Sequence, residues 1–232
     1  MVAAVVRENV GQAPSPEELI ARAKAMIPAL KSRARQCVAD RNVPAETIEE
    51  LRKNGFFRIL QPKRFGGYEM EPNVFFEVQK ALAQGCMSTG WMYGVVGCHP
   101  FEIALFHDKA QQEVWGEDAD TLASSSYQPV GKVTHVDGGF RLSGRWGFST
   151  GSAHCQWVLL GAFVPRRAKA TQWKCAPSCS RAATTRSTST RGTPSVFRAR
   201  AVMTSSSTMS SFPIIVPIAA ATVSTARTPG RR

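Results

Sequence analysis

No aspartate or glutamate follows Asp137, and no leucine follows Leu160, although the chain runs on to Arg232. Residues 1–165 hold 17 Lys+Arg and 17 Asp+Glu, a net of zero. The other 12 of the 29 Lys+Arg lie in residues 166–232, which contain no acid at all. The formal charge of +12 is therefore a property of the tail. A chain-wide basic surface for nucleic acid is excluded by that split. The tail itself has charge for phosphates but only Trp173, Phe197 and Phe212 for stacking on bases. It carries no recognisable nucleic-acid module, so no specific nucleic-acid partner is expected.

Metal ligands and membrane signals are also scarce. Four histidines are scattered, and the six cysteines (Cys37, Cys86, Cys98, Cys155, Cys175 and Cys179) include no Cys-x-x-Cys pair. A structural zinc site and a disulfide framework are both unexpected. No stretch approaches the roughly 20 apolar residues of a membrane span. The start, MVAAVVRENV, has no basic segment leading into a long apolar run. A reducing cytoplasm is the expected setting.

What is present is first helical. Ser15-Pro16-Glu17-Glu18 predicts a helix start, with Ser15 as N-cap, proline in the first turn and Glu18 completing a capping box. Leu19, Ile20, Ala23, Ile27, Leu30 and Ala34 then recur at helical spacing, and Pro28 predicts a kink or break. A second helix is expected over 44–54, stopped by Gly55, followed by a buried connection of Phe56, Phe57, Ile59 and Leu60. Gln61–Gly67 reads as a loop whose Lys63 and Arg64 sit on a solvated turn or meet a phosphate. Pro72 opens a helix to about Gly85, and Ser88-Thr89-Gly90-Trp91 begins another running towards His99-Pro100. Its Gly90, Gly94 and Gly97 allow a partner helix or a ligand to approach closely. Asp108-x-x-Gln111 reads as a further capping box, with Val114 and Trp115 buried and Gly116 at the end.

From Thr121 to Gly151 the pattern changes to strands. Val133, Val136, Phe140 and Leu142 alternate around Asp137-Gly138-Gly139, the composition of a tight hairpin. Hydroxyls at Ser124-Ser125-Ser126 and Ser149-Thr150, with Trp146 and Phe148 beside them, suit a planar ligand with a polar edge. Trp157–Leu160 reads as the last buried strand. Helices followed by strands indicate an α+β arrangement.

These ordered blocks resemble the acyl-CoA dehydrogenase superfamily over about residues 17–164. They include GFFRILQPKRFGGYE (55–69), STGWMYGVVGCHP (88–100), QQEVWGED (111–118) and SSSYQPVG (124–131). The resemblance is narrowest to the oxygenase components of two-component, reduced-flavin-dependent aromatic monooxygenases. Steroid-derived phenols and 4-hydroxyphenylacetate are among the substrates of that group.

The resemblance implies a flexible start at 1–14, an N-terminal helical domain at 15–119 and part of a flavin-contacting middle β-domain at 120–165. It implies a phenolic substrate, reduced flavin (FADH2 or FMNH2) from a separate reductase, and molecular oxygen as co-substrate. The flavin C4a-hydroperoxide would hydroxylate ortho to the phenol. Carried over by motif position, His99 is the base or substrate-orienting residue, and Ser125 faces the flavin or the peroxide. Ser124, Trp146, Ser149 and Thr150 join Ser125 around the flavin, and Trp91 and Tyr93 wall the substrate. Full-length members of the family are expected as homotetramers. An acyl-CoA dehydrogenase is the alternative enzyme, although Tyr127–Lys132 departs from that branch's acidic segment. A non-catalytic binding protein with a basic tail is the alternative of another class.

Beyond Arg166 periodicity is lost, and 22 of the 67 residues are Ser or Thr. This segment reads as a disordered basic tail or as sequence out of frame. Regrouping Thr204–Pro213 one base earlier, with TCn serine codons, can give Asp-Val-Val-Val-Asp-Asp-Val-Phe-Val-Pro, which alternates as a strand should. The expectation is a reading frame lost shortly after Val164 and a missing C-terminal helical bundle.

Overall fold

The structure, a computed structural model, describes residues 13–136, 139–163, 195–204, 214–217 and 221–225. Most of the expected flexible start and much of the tail lie outside those residues.

Helix α1 (Pro16–Ala25) begins where the sequence places it, with the Ser15 hydroxyl accepting from the Glu18 amide at 3.2 Å. The expected break falls at Met26. Helix α2 (Ile27–Asp40) starts there because Pro28, without an N–H, fits a first turn and not a helix interior. Helix α3 (Ala45–Lys53) is stopped by Gly55 at φ +77°. Helices α4 (Pro72–Gly85) and α5 (Met87–Val96) follow, then α6 (His99–Ala104) and α7 (Asp108–Trp115).

The apolar faces of α1 to α5 meet in one core containing Leu19, Leu30, Leu51, Phe56, Phe75 and Leu82. Each such side chain contributes roughly 1.5–3 kcal/mol by leaving water. The small residues of α5 serve helix packing. A Cβ at Gly90 would lie 2.7 Å from the Ala83 Cα, so α4 is the close neighbour there and not a ligand.

One cap differs from expectation. His107, not Asp108, caps α7, its ring accepting from the Lys109 amide at 3.2 Å. Asp108 instead pairs with Arg64 at 2.7 Å. Buried Gln111 donates to the carbonyls of Ala104 and Phe106, so it ties α7 back to α6. Arg64 therefore already has acidic and amide partners, in keeping with a solvated turn.

The second layer is a sheet. Strands β1 (Ala123–Val136) and β2 (Gly139–Trp146) pair antiparallel, with Val133 opposite Leu142 and Val136 opposite Gly139. Strand β3 (Trp157–Phe163) lies parallel on the other side of β1 and places Ser125 opposite Leu159. Three further strands, β4 (Ser195–Thr204), β5 (Ile214–Pro217) and β6 (Ala221–Thr225), complete the order β5-β3-β1-β2-β4-β6. This corrects the expectation of an irregular tail for those segments. Ladder hydrogen bonds are made by backbone, and the open edges of β2 and β3 accept any non-proline run of extended backbone. Tail periodicity was therefore not needed for pairing.

The β1 ladder shifts register between Ser126 and Gly131, and there β1 passes close over β3. A Cβ at Gly161 would sit 2.2 Å from the Tyr127 carbonyl oxygen. The Gly161 carbonyl also accepts from the Trp146 indole at 2.9 Å. Gly161→Ala should therefore force β1 outward and lower stability by about 1–3 kcal/mol in denaturant unfolding. A variant as stable as the parent would contradict this packing.

Candidate functional site

His99 opens α6 with Pro100 in the first turn, a position that tolerates its missing N–H. The ring is 1% exposed. Its Nδ1 lies 3.0 Å from Glu102 Oε2, one helical turn on. The same carboxylate oxygen accepts from the Tyr127 hydroxyl at 2.5 Å. Ser125 lies two residues before Tyr127 on the same strand, near enough to act on the phenol and lower its pKa. Because strand side chains alternate, Ser125 and Tyr127 share the face of β1 that packs on α6. The result is a chain of polar groups, Ser125–Tyr127–Glu102–His99, joining helical layer to sheet. It ends at His99 Nε2, which is buried and has no hydrogen-bond partner.

Charge states follow from these contacts. Burial raises the Glu102 pKa, but the hydrogen bonds from His99 and Tyr127 outweigh it and hold the carboxyl below the usual glutamate range. Burial, and then the Glu102 hydrogen bond, push Tyr127 well up, so it stays a phenol donor. Cys98, whose Sγ is 3.8 Å from His99 Nδ1, is pushed up to about 11 by burial and by the Glu102 charge.

The remaining expected residues separate into two groups. Ser126 donates to the Gly147 carbonyl at 2.6 Å and Ser124 to the Trp157 carbonyl at 3.5 Å, so both hydroxyls are engaged inside the sheet. Trp146, expected on a flavin face, is fully buried, with its indole beneath Gly131 and Gly144. Tyr93, expected as a pocket wall, is in the helical core, donating to the Phe56 carbonyl at 3.1 Å among Phe56, Phe57 and Phe75. Trp91 is 66% exposed on α5. Tyr93 and Trp146 follow ordinary core packing, as large rings on an amphipathic framework do.

The turn after β2 behaves differently. Phe148 is 78% exposed and held at φ +58°, a conformation that is costly for a bulky side chain. Next to it Ser149 Oγ is buried without a partner, and Thr150 is half-buried. A Cβ at Gly147 would meet nothing within 4 Å. A bare aromatic, an unpartnered hydroxyl and open space at one turn fit the edge and face of a planar heterocycle such as a flavin. Ser126 joins this turn to the strand that carries Ser125 and Tyr127.

Sequence reasoning missed Glu102 and Tyr127. The His-x-x-Glu spacing on a helix and the Ser-x-Tyr spacing on a strand were readable signals for them.

A helical domain leading into a sheet with a hydroxyl-bearing turn defines a class, and residues 17–119 match the acyl-CoA dehydrogenase N-terminal domain. Beyond that domain match, the chain is similar to oxygenase components of flavin-dependent monooxygenases. It is 41% identical over 143 residues to the flavin-dependent monooxygenase oxygenase subunit HsaA of Rhodococcus jostii, covering 62% of this chain and 37% of that one. It is 38% identical over 167 residues to the FADH2-dependent resorcinol hydroxylase oxygenase component of a Rhizobium species, covering 69% and 41%. The crystal structure of the HsaA monooxygenase from M. tuberculosis superposes with a TM-score of 0.63 at 40% identity, over 65% of this chain and 41% of that one. The chain thus spans 37–41% of the length of these proteins.

The depressed Glu102 pKa has a sign. It contributes stability that is present above the ordinary glutamate pKa of 4.5 and lost as pH falls through the lower folded value. Glu102→Gln should cost about 1–2 kcal/mol at pH 7, and the two melting curves should converge as pH falls below the ordinary glutamate range. Glu50, held down by Arg33, titrates in both proteins, so the difference isolates Glu102. A gap independent of pH would contradict an ionised Glu102.

Proposed function

We propose that this chain carries the substrate-hydroxyl and flavin-edge contacts of an oxygenase component that hydroxylates a phenol ortho to its hydroxyl. The observation that carries the reading is the buried, unpartnered Nε2 of His99, on a ring whose Nδ1 is already bound to Glu102. Kinship with proteins named as oxygenase subunits and hydroxylases supports it. Such names also fit a separate reductase as partner and a phenolic small molecule as substrate. A homotetramer of the full-length assembly belongs to the same reading.

When bound, reduced flavin supplies the electrons that activate molecular oxygen. The chain's own residues act on the other reactant and on water. His99 Nε2 accepts the hydrogen bond of the phenol hydroxyl and takes its proton as the ring carbon becomes nucleophilic. Glu102 stabilises the imidazolium that forms, as a carboxylate behind a histidine does elsewhere. Ser125 donates its hydroxyl hydrogen to the phenol oxygen beside the ring. Ser149 and Thr150 offer hydroxyls to the polar edge of the flavin, and Phe148 covers apolar surface beside it. Trp91 flanks substrate from α5 in this reading, and Tyr93 and Trp146 support the walls from within the core. Buried apolar neighbours exclude water, which protects an oxygen-activating centre from wasteful breakdown.

The full chain, mixed with reduced FMN or FAD under anaerobic conditions, should perturb flavin fluorescence. Ser149→Ala should weaken that binding about three- to tenfold, the value of one hydrogen bond. Unchanged spectra on mixing with either flavin would overturn the reading.

A further inference from the structure

A carboxylate can only accept hydrogen bonds, and here one carboxylate oxygen faces two groups at once. The Tyr127 hydroxyl lies 2.5 Å from Glu102 Oε2 and His99 Nδ1 lies 3.0 Å from it. Both partners must therefore donate. Tyr127 has one proton and gives it to the carboxylate. His99 must carry its hydrogen on Nδ1. In the neutral ring this leaves Nε2 with a bare lone pair. Tyr127 is also 3.4 Å from Nδ1, so it braces the ring from the sheet side while Glu102 braces it from α6.

We propose that Glu102 and Tyr127 are positioning residues that lock His99 as the Nδ1–H tautomer, so that the site accepts a ligand's hydroxyl hydrogen and disfavours ligands that can only accept one. The proposal rests on the reading of His99 as the phenol-facing group and adds which groups set its polarity. Removing Glu102 frees the ring to exchange tautomers. In the Nε2–H form it would present a donor, the wrong sign for a neutral phenol's hydroxyl hydrogen. Tyr127 acts one step further away, by keeping the carboxylate ionised and in place.

The side chains of Cys98, His99 and Glu102 also bring ligand atoms within 4.8 Å of one another, a spacing that a cation could use. However, Cys98 Sγ already donates to the Val95 carbonyl at 3.2 Å, and its thiol is held neutral by burial. The Glu102 oxygen nearest the ring is taken twice over. The geometry favours a hydrogen-bonded brace.

Nitrogen-15 NMR of the histidine side chains in the full chain tests this without flavin or substrate. Failure of flavin or phenol binding therefore leaves the result readable, and the two claims fail separately. At a pH where the ring is neutral, the resonance that disappears in His99→Gln should show the Nδ1–H pattern in the wild type. Glu102→Gln should shift it to a mixture of tautomers, with the backbone amide spectrum otherwise retained. Tyr127→Phe should give a tautomer mixture intermediate between wild type and Glu102→Gln, because the carboxylate loses one of its two donors. An Nε2–H pattern in the wild type overturns the proposal, and that spectrum decides even if Glu102→Gln fails to fold. An unchanged tautomer in folded Glu102→Gln removes Glu102 from the role. Zinc chloride added to the wild type should leave the Nδ1 resonance in place. Stoichiometric movement of that resonance would replace the brace with a cation site.

Discussion

The site depends on one partly buried carboxylate that receives hydrogen bonds from both layers of the fold. Glu102 belongs to the helical layer, Tyr127 to the sheet, and His99 lies between them. A buried charge without partners would be costly, so the layers are held where both donors reach it. The packing beneath is built for the same placement. Gly161 lets β1 pass within reach of β3, and Trp146 fills the space behind Gly131 and Gly144. On the helical side the close contact of α5 with α4 sets where α6 begins. The chemistry at Nε2 is the unpartnered end of an arrangement that is otherwise structural.

The second element is the turn at 147–150, which carries strain and an unpartnered hydroxyl together. A phenylalanine at positive φ is retained only where the surroundings over-determine it. Here the Ser126 bond to the Gly147 carbonyl fixes one end, and the close approach of Gly151 to Val96 fixes the other. The turn is thus held against the end of α5, just before the helix that carries His99. The sheet and the helices contribute to a common region without sharing a continuous stretch of sequence.

Much of this was legible in the residues. Helix starts at Pro16 and Pro72, the break before Pro28 and the antiparallel pairing of Val133 with Leu142 follow from local chemistry that tertiary contacts do not override, while the turn expected at Asp137-Gly138 lies outside the described residues. His99 and Ser125 were singled out from motif position; His99 is in the hydrogen-bonded network and Ser125 lies two residues from its Tyr127. Tyr93 and Trp146 were not readable in the same way. An aromatic suits a core as well as a pocket, and only the three-dimensional neighbours decide between them. Glu102 and Tyr127 were passed over because their roles arise from a helix face meeting a strand face. The tail strands were missed because backbone pairing asks little of side-chain periodicity.

The central claim is that His99 presents a hydrogen-bond acceptor to a ligand hydroxyl. Calorimetric binding of a simple phenol and of its methyl ether to the full chain tests this most directly. The ether keeps the ring and the oxygen but has no hydrogen to give. The account predicts that the phenol binds at least tenfold more tightly, and that His99→Ala removes the difference. Equal affinities for phenol and ether in the wild type would contradict it.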